Sequence, residues 1–504
     1  MRRESGLIVP LFSLVSSRGW GIGEFADLGR FARWAAEAGQ SVLQILPVGE
    51  MPPDERSPYS SMTAMALDPI YLSLPDLPDF AGLGGELAFE SADEAALEAL
   101  RLAPRIRYSA VRRLKSRWLR RSWERFVQVE LHRGSTRARQ FEDFIRQEAW
   151  WLEEYATFRA LHAEFAERRW QEWPEALGRA EPQALAQARA DLETEIAYYK
   201  YLQWIAAEQW AEANRQAWPT RVFGDLPFMI SADSPDVWAR QHEFRFDATI
   251  GVPPDAFSET GQDWGLPPWR WDVMAGSGFA WMRMRAARYA ALFDGYRIDH
   301  LVGLYRTYIR PIDKSVTAFF EPAEESTQTE LGEMLVGILR LDDRTQSDEA
   351  PRRQPEIIAE DLGLIPTFVR ESMRRLGLPG MKVLRWERHW ELPGQPPVDP
   401  RDFPPLSVAT TGTHDIDPLA ATEEGDTDEK REAHLHDLLE SRSNLTLMLL
   451  QDAFGWADRI NTPAVVDEMN WTWRLRWPVD EWLDRQETMS RARILRDWTR
   501  SAGR

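Results

Sequence analysis

Short runs of apolar residues recur along the chain, each bounded by glycine, proline or aspartate and separated by longer stretches with helical character. Continuous apolar runs of this length are typical of strands buried on both faces of a parallel sheet. Strands that alternate with helices predict an α/β fold, and about eight of them predict a (β/α)8 TIM barrel. The predicted strands cover residues 6–11, 41–48, 221–227, 293–298, 356–360, 381–386 and 407–411, with a weaker eighth at 464–466.

A doubly wound open sheet is the main alternative, because it shows the same alternation of strands and helices. Such sheets commonly carry a GxGxxG phosphate-binding turn directly after the first strand. No such pattern follows residues 6–11 of this chain. The barrel is therefore the favoured prediction.

The uneven spacing of the predicted strands divides the chain into parts. Residues 1–82 hold the first two strands with their loops, and residues 220–504 hold the rest of the barrel. Between them, residues 83–219 are rich in Arg, Glu, Ala and Trp. This stretch is too long for a strand-to-helix connection and predicts a large, mostly helical insertion. Residues 321–355 are charged and polar, and we expect a smaller surface excursion there.

Composition narrows the classes of partner. The net charge of -19 repels phosphate backbones and anionic lipid, so neither nucleic acid nor a membrane is expected as a partner. The chain has no cysteine, which excludes disulfides, thiolate metal sites and cysteine nucleophiles. The apolar run near the amino end is broken by Pro10 and Ser13, so we interpret it as a strand rather than a signal peptide. A cytoplasmic location and a monomer or weak homo-oligomer are expected.

Three segments place an acidic residue at the end of a predicted strand: GYRIDH (295–300), IIAEDLG (357–363) and TTGTHD (410–415). In parallel barrels the active site lies at the carboxyl ends of the strands. A single aspartate in such a place is explained as well by a helix N-cap. Three acidic ends, two of them with basic neighbours, favour a catalytic site.

The residue types fit cleavage of a glycosidic bond, which needs a proton donor and a second carboxylate. Arg297 and Asp299 point to the same face if the strand continues, so the guanidinium would hold the carboxylate ionised, as a nucleophile requires. Glu360 is the expected proton donor, with a pKa raised above the ~4.3 of free glutamate. His414 and Asp415 are placed to hydrogen-bond sugar hydroxyls.

These motifs, in this order, resemble the amylomaltase or 4-α-glucanotransferase family, glycoside hydrolase family 77 of the α-amylase clan. The resemblance extends over both ends of the chain and most of it outside the helical insertion. Further segments that carry it are GIGEFADLGRF (21–31), AEAGQSVLQILPVG (36–49), SPYSSMTAMALDPIYL (57–72), GDLPFMISADSPDVW (224–238), GVPPDAFSETGQDWGLPPWRW (251–271) and RINTPAVVDEMNWTWRL (459–475).

The resemblance implies a role for each matching position. Asp299 would be the nucleophile, Glu360 the acid/base and Asp415 the stabiliser of the transition state. Neither a metal nor an organic cofactor is expected, and the substrate would be a maltodextrin or another α-1,4-glucan. The substrate-binding residues that it implies are Tyr59 as a stacking platform, Arg297, His414, Trp264 with Asp255 and Gln262 in a loop closing over the glucan, Asp225 and Asn470.

Some positions depart from the family pattern. Ile416 stands where the family usually has asparagine, and WGLPPW (264–269) stands where WGNPLY is common, so that Leu266 replaces an amide. These substitutions leave all the expected catalytic carboxylates in place. The property that we expect them to change is the preference for the acceptor. The prediction is a retaining 4-α-glucanotransferase. The alternatives are an α-1,4-glucan hydrolase on the same scaffold, a non-catalytic glucan-binding protein and, remotely, a metal phosphohydrolase built around His414 and Asp415.

Overall fold

The barrel is built from short buried strands. The computed structural model describes residues 3–254, 261–342, 354–463 and 465–504. Its strands, in chain order, are β1 (Glu4–Ile8), β2 (Val42–Gln44), β3 (Arg221–Leu226), β4 (Ala248–Val252), β5 (Gln262–Asp263), β6 (Gly295–Ile298), β7 (Thr307–Pro311), β8 (Phe319–Glu321), β9 (Glu356–Ala359), β10 (Gly380–Val383), β11 (Ser407–Thr410) and β12 (Leu445–Leu449). Within these ranges, eight parallel strands close in the order β1, β2, β3, β6, β9, β10, β11, β12.

The closed parallel barrel confirms the predicted fold class, and the first seven predicted strands all coincide with barrel strands. The eighth was predicted wrongly at 464–466. Position 464 lies outside the described residues, and the side chains of Val465 and Val466 are 52% and 107% exposed, which a buried strand does not allow. The eighth strand is β12, whose five residues are all buried. It pairs with β1 and β11 and so closes the barrel.

Helices surround the barrel and fill the long connection between β2 and β3. Helix α8 packs on α1 and α5 packs on α8, so the helical stretch is joined to the barrel wall. The division of the chain at residues 82 and 219 stays a prediction. The helices are α1 (Phe25–Glu37), α2 (Pro78–Gly82), α3 (Ser91–Arg101), α4 (Tyr108–Phe126), α5 (Thr136–Glu164), α6 (Glu175–Gly178), α7 (Pro182–Asp191), α8 (Glu193–Ala217), α9 (Pro235–Ala239), α10 (Trp271–Gly276), α11 (Ala280–Leu292), α12 (Val302–Tyr305), α13 (Glu325–Leu339), α14 (Thr367–Leu376), α15 (Asp428–Glu440), α16 (Leu450–Phe454) and α17 (Gln486–Ser501).

The surface excursion expected over residues 321–355 stays a prediction, and the structure describes its first half. Helix α13 occupies this part and packs against α11, α12 and α14. Its apolar residues, Leu331, Leu335 and Leu339 among them, are buried at helical spacing beneath a polar outer face. The polar composition therefore belonged to the solvent side of an amphipathic barrel helix. Residues 343–353 lie outside the described residues.

A second, antiparallel sheet was not predicted. Its strand order is β5, β4, β7, β8, and its strands leave the barrel after β3 and after β6. Both excursions begin at the carboxyl ends of barrel strands, which is the rim where the acidic residues lie. In the part of the chain that the structure describes, none of the helices is both long and apolar enough to cross a membrane.

Candidate active site

The barrel places the three acidic residues on one rim. Asp299 and Glu360 are the first residues after β6 and β9, which pair in parallel with Ile298 opposite Ala359. The backbone N–H of Glu360 donates to the carbonyl of Ile298 at 3.0 Å, so the two carboxylates leave adjacent strands at the same level. Asp415 lies on the loop that follows β11. The fold thus brings together residues that are far apart in sequence.

Arg297 organises the nucleophile side of the site. This arginine is buried, and its Nη2 donates to Oδ1 of Asp299 at 2.7 Å while its Nε donates to Oδ2 of Asp225 at 2.9 Å. The hydroxyl of Tyr59 also donates to Oδ2 of Asp225, at 2.7 Å. One guanidinium is therefore fixed between two carboxylates, which orients the side chain of Asp299.

Glu360 lies in a different electrostatic environment. Burial is the main cause that raises its pKa to about 7, and the nearby charge of Asp299 adds to this, against the opposing charge of Arg297. The backbone N–H groups of His300 and Leu362 donate to its two oxygens at 2.9 and 2.7 Å. A carboxyl group with this pKa is protonated over much of the neutral range, which is what a proton donor needs.

Asp415 is held in the charged state. Burial alone would raise its pKa, but the charge of His414 and hydrogen bonds from His414 and Asn461 lower it to about 2. The amide of Asn461 donates to Oδ1 at 2.6 Å, and Nε2 of His414 lies 3.3 Å from Oδ2. Arg459 donates to the backbone carbonyl of Asp415 at 2.6 Å and fixes the loop. A carboxylate that is negatively charged at neutral pH therefore lines the cleft.

The cleft has an aromatic wall. The ring of Tyr59 stacks on that of His414 with centroids 4.8 Å apart, and Trp471 lies beside both rings, 5.8 Å from Tyr59 and 5.5 Å from His414. The cleft has a volume of about 520 Å³ and is lined by Asp299, Asp415, His414, Tyr59, Trp471, Asn461, Phe228, Met229, Trp264 and Leu266, among others. Its size is that of a small-molecule site.

The loop expected to close over a glucan is partly described. Trp264 lines the cleft and meets the ring of His300 edge-on at 5.0 Å. The indole N–H of Trp264 donates to Oε1 of Gln262 at 3.2 Å, so Gln262 supports the tryptophan. Burial lowers the pKa of His300 to about 4, and its neutral ring packs between Trp264 and Phe228. Asp255 lies outside the described residues.

Two of the expected substrate-binding residues have side chains that are held by other parts of the protein. Asp225 lies within β3, and its carboxylate is fully buried behind Arg297 and Tyr59. The amide group of Asn470 is occupied by the backbone of its own loop, because it donates to the carbonyls of Thr462 and Val465 and accepts from the N–H of Thr462. The roles of both residues in substrate binding stay predictions.

Sequence reasoning missed several residues of the cleft. Asn461, Trp471 and Phe228 all lie in segments that carry the family resemblance, but no spacing rule connected them with the acidic residues. The segment containing Asn461 and Trp471 was considered only for Asn470. Among the described residues, no group of three or more His, Cys, Asp or Glu side chains is arranged to hold a metal ion.

Comparisons with known proteins concern the family and the fold of this chain. A family model described as 4-alpha-glucanotransferase, of glycoside hydrolase family 77, matches residues 9–480. The chain is 31% identical to a 4-alpha-glucanotransferase of Chlamydia caviae, over 95% of this chain and 92% of that protein. It is also 31% identical to a 4-alpha-glucanotransferase of Thermus thermophilus, over 94% of this chain and 95% of that protein.

A solved structure gives the same result for the fold. The amylomaltase from Streptococcus agalactiae, solved in complex with acarbose, superimposes with a TM-score of 0.81 at 26% identity and covers 100% of both chains. The resemblance seen in the sequence motifs is thereby confirmed over nearly the whole chain. This chain is an enzyme that belongs to the 4-alpha-glucanotransferase family, glycoside hydrolase family 77.

Proposed function

We propose that this enzyme transfers α-1,4-glucan segments between maltodextrins by a retaining double displacement. The observation that carries the proposal is that carboxyl groups on one rim of the barrel differ in their pKa values and in their hydrogen-bond partners. Glu360 has a pKa of about 7, Asp415 has one of about 2, and Asp299 is paired with Arg297. Retaining cleavage requires one protonated carboxyl group and one ionised nucleophile at the same sugar.

In the first step, the carboxylate of Asp299 attacks the anomeric carbon of the donor while Glu360 protonates the oxygen of the departing glucan. The bond to that oxygen breaks, and a β-linked glucosyl-enzyme forms on Asp299. Asp415 stabilises the positive charge that develops on the sugar ring. This chemistry needs the Asp299 and Glu360 carboxyl groups ~5–5.5 Å apart, which stays a prediction.

In the second step, Glu360 acts as the base and removes a proton from the acceptor. The acceptor oxygen attacks the anomeric carbon, the bond to Asp299 breaks, and an α-linkage is restored. The 4-hydroxyl of another glucan gives transfer, whereas water gives hydrolysis. Transfer dominates when the site binds sugar well and excludes water, and we propose the Trp264 loop for this task.

Incubation with purified maltotriose tests this function. Glucose together with maltodextrins longer than maltotriose is the expected product pattern. Glucose and maltose alone would instead identify a hydrolase on the same scaffold. No conversion by a folded enzyme, with maltodextrin binding retained, would favour a non-catalytic glucan-binding protein. Addition of a chelator should change nothing, and a dependence on metal ions would contradict the mechanism.

We further propose that the enzyme acts in the cytoplasm on neutral maltodextrin, as a monomer or weak homo-oligomer. The net charge of -19 repels nucleic acid and anionic lipid but does not repel an uncharged glucan. Leu266, which lines the cleft where relatives commonly carry an amide, is our candidate for a difference in acceptor preference.

A further inference from the structure

His162 lies at the carboxyl end of the long helix α5 and is buried, with 2% of its surface exposed. Its Nδ1 is 2.6 Å from Oε2 of Glu167, and its Nε2 is 3.1 Å from Oδ2 of Asp233. Ionised carboxylate oxygens only accept hydrogen bonds, so both contacts are satisfied together when both ring nitrogens carry a proton. Nη1 of Arg159 lies 3.1 Å from Nδ1 and its positive charge opposes protonation, but the two carboxylate contacts outweigh it and favour an imidazolium that joins Glu167 and Asp233.

One of these carboxylates belongs to a loop of the active site. Asp233 stands near the end of the 227–234 loop, which connects β3 with α9. Earlier residues of the loop, Phe228 and Met229 among them, line the cleft. Phe228 packs edge-on against Trp264 with centroids 6.3 Å apart. The contact at His162 is thus linked through this loop to the residue proposed to exclude water.

The same turn of α5 holds a second active-site loop. Nε of Arg159 donates to Oε1 of Glu50 at 3.1 Å, and the hydroxyl of Tyr155 donates to its other oxygen. Glu50 begins the 50–62 loop, which carries Tyr59 into the cleft. The two loops are also joined directly, because the N–H of Ser231 donates to the carbonyl of Ser61 at 3.3 Å.

The backbone next to His162 supports a fixed geometry. Ala166 and Glu167 both have positive φ, 56° and 59°, a region that residues with a Cβ seldom occupy. Glu167 in this conformation accepts from His162 and from Nη1 of Arg159, at 2.6 and 3.2 Å. A strained turn of this kind persists only where the surrounding contacts hold it.

We propose that His162 is a positioning residue through which the helical stretch holds the 227–234 loop, and thereby sets how the glucosyl-enzyme divides between a glucan acceptor and water. This inference rests on the proposed double displacement. Asp233 also accepts from the N–H of Trp170 at 3.2 Å, so loss of the His162 contact would loosen the loop that carries Phe228 without releasing it, and would admit water beside Trp264. Hydrolysis should then increase at the expense of transfer.

The ratio of transfer to hydrolysis is the right quantity to measure. Both acceptors react with the same intermediate and both need Glu360 as the base, so titration of Glu360 cancels from the ratio. Glu167, Asp233 and Arg159 are the charged groups that contact the ring. Burial opposes protonation of His162, but its hydrogen bonds to Asp233 and Glu167 raise its pKa above the usual value. The ring therefore carries both N–H donors below this raised pKa, and it loses one of them as pH rises through it, which breaks the link between Glu167 and Asp233.

The experiment compares the full-length wild-type enzyme with His162→Gln on maltotriose between pH 5.5 and 9. At pH 6 the ratio should fall about threefold or more in the variant, as expected when a site admits water. The wild-type ratio should fall as pH rises, and the ratio of the variant should stay flat. Asp233→Asn should lower the ratio in the same way, and the double variant should add little, because both changes remove one contact.

His132→Gln is the matched control, since this histidine is exposed and precedes α5. It should keep the wild-type ratio and pH profile. The inference is overturned if the His162→Gln variant folds and keeps the wild-type ratio of transfer to hydrolysis. It is also overturned if the only change in this variant is a lower unfolding temperature. If that variant fails to fold, a wild-type ratio that is independent of pH overturns it as well. If the wild-type enzyme forms no maltodextrins that are longer than maltotriose, the proposed function is refuted instead.

Discussion

At the scale of single residues, the different surroundings of the carboxyl groups in the site give them different pKa values or different partners. Burial raises the pKa of Glu360, whereas a histidine and an amide lower that of Asp415. Asp299 is held by a guanidinium that is itself fixed by Asp225. One carboxyl group can therefore donate a proton while two others carry the negative charge that the developing cation needs.

Glu360→Gln should remove the proton donor without changing the shape of the side chain. We expect kcat to fall by about 10²–10⁴-fold, the usual contribution of general acid–base catalysis. In the wild type, kcat/KM should decline as pH rises through about 7, because Glu360 then loses its proton. Initial rates on maltotriose from pH 5 to 9 check this. The exposed Glu371→Gln should behave as wild type, and an unchanged Glu360→Gln would contradict the assignment.

Asn461→Ala should weaken the stabiliser rather than remove it. The amide of Asn461 donates to Oδ1 of Asp415 at 2.6 Å and lines the cleft. A hydrogen bond to a charged group contributes about 1.5–3 kcal/mol, so kcat should fall by about 10- to 100-fold. Steady-state kinetics measure the fall in kcat, and thermal unfolding shows whether the variant is still folded. A folded variant within about twofold of the wild-type kcat would exclude this role.

At the scale of elements, the strands and helices next to the site determine the positions of its side chains. Helix α14 follows the loop that starts at Glu360, and it ends directly before Gly377, whose φ is 63°. Hairpin β4–β5 brings Trp264 to the cleft from outside the barrel. Helix α13 supplies a contrasting glycine, Gly337, in an ordinary helical conformation.

Two glycine-to-alanine changes should have opposite effects on stability. A Cβ at either Gly377 or Gly337 meets nothing within 4 Å, so only the backbone decides. Gly377→Ala places alanine in the left-handed region and should cost about 1 kcal/mol in the free energy of unfolding. Gly337→Ala should add about 0.5–1 kcal/mol, because alanine favours the helix. Urea unfolding checks both, and the same sign for both would refute the reasoning.

Trp264→Ala should open the cleft to water. The indole meets His300 edge-on at 5.0 Å and lines the cavity, so its removal leaves space beside the nucleophile. We expect the fraction of maltotriose that is hydrolysed to rise about tenfold. Product analysis by chromatography measures it. Trp218→Ala, at a position 73% exposed, is the control, and equal product ratios in both variants would refute a role for Trp264.

At the scale of the whole molecule, one end of the barrel holds the candidate active site and the other end contributes to stability. The carboxyl rim carries the carboxylates of the site, and the amino rim carries an ion-pair network. Arg221, the first residue of β3, contacts Glu4 of β1 at 2.6 Å and Glu356 of β9 at 2.5 Å. Residues at the amino rim of such barrels contribute to stability rather than to catalysis.

Arg221→Met should therefore lower stability and leave the chemistry intact. The change leaves Glu4 and Glu356 without their cation, and we expect a loss of about 1–3 kcal/mol in the free energy of unfolding. The value of kcat/KM should stay within about twofold of the wild type, because the site lies at the other rim. Arg374→Met, at an exposed ion pair, should cost under about 0.5 kcal/mol. A large loss of kcat/KM in folded Arg221→Met would contradict the separation.

Much of this enzyme is determined locally in the sequence. Runs of five to eight residues predict the buried strands, and acidic residues at or shortly after the ends of these runs predict the rim of the site. The position of Asp299 next to Arg297 at alternating spacing already implied an ion pair, and the structure contains it at 2.7 Å. Such features depend on neighbours within a few positions, so periodicity and spacing are enough to find them.

Tertiary structure decided the rest, because it depends on which distant residues become neighbours. The last strand was misplaced, since closure requires β12 to pair with both β1 and β11. The charge state of Asp415 depends on Asn461, which lies 46 residues away. The contact of His162 with Asp233 joins residues 71 positions apart. Burial and electrostatic fields are set by these long-range contacts, and no local pattern of residues contains them.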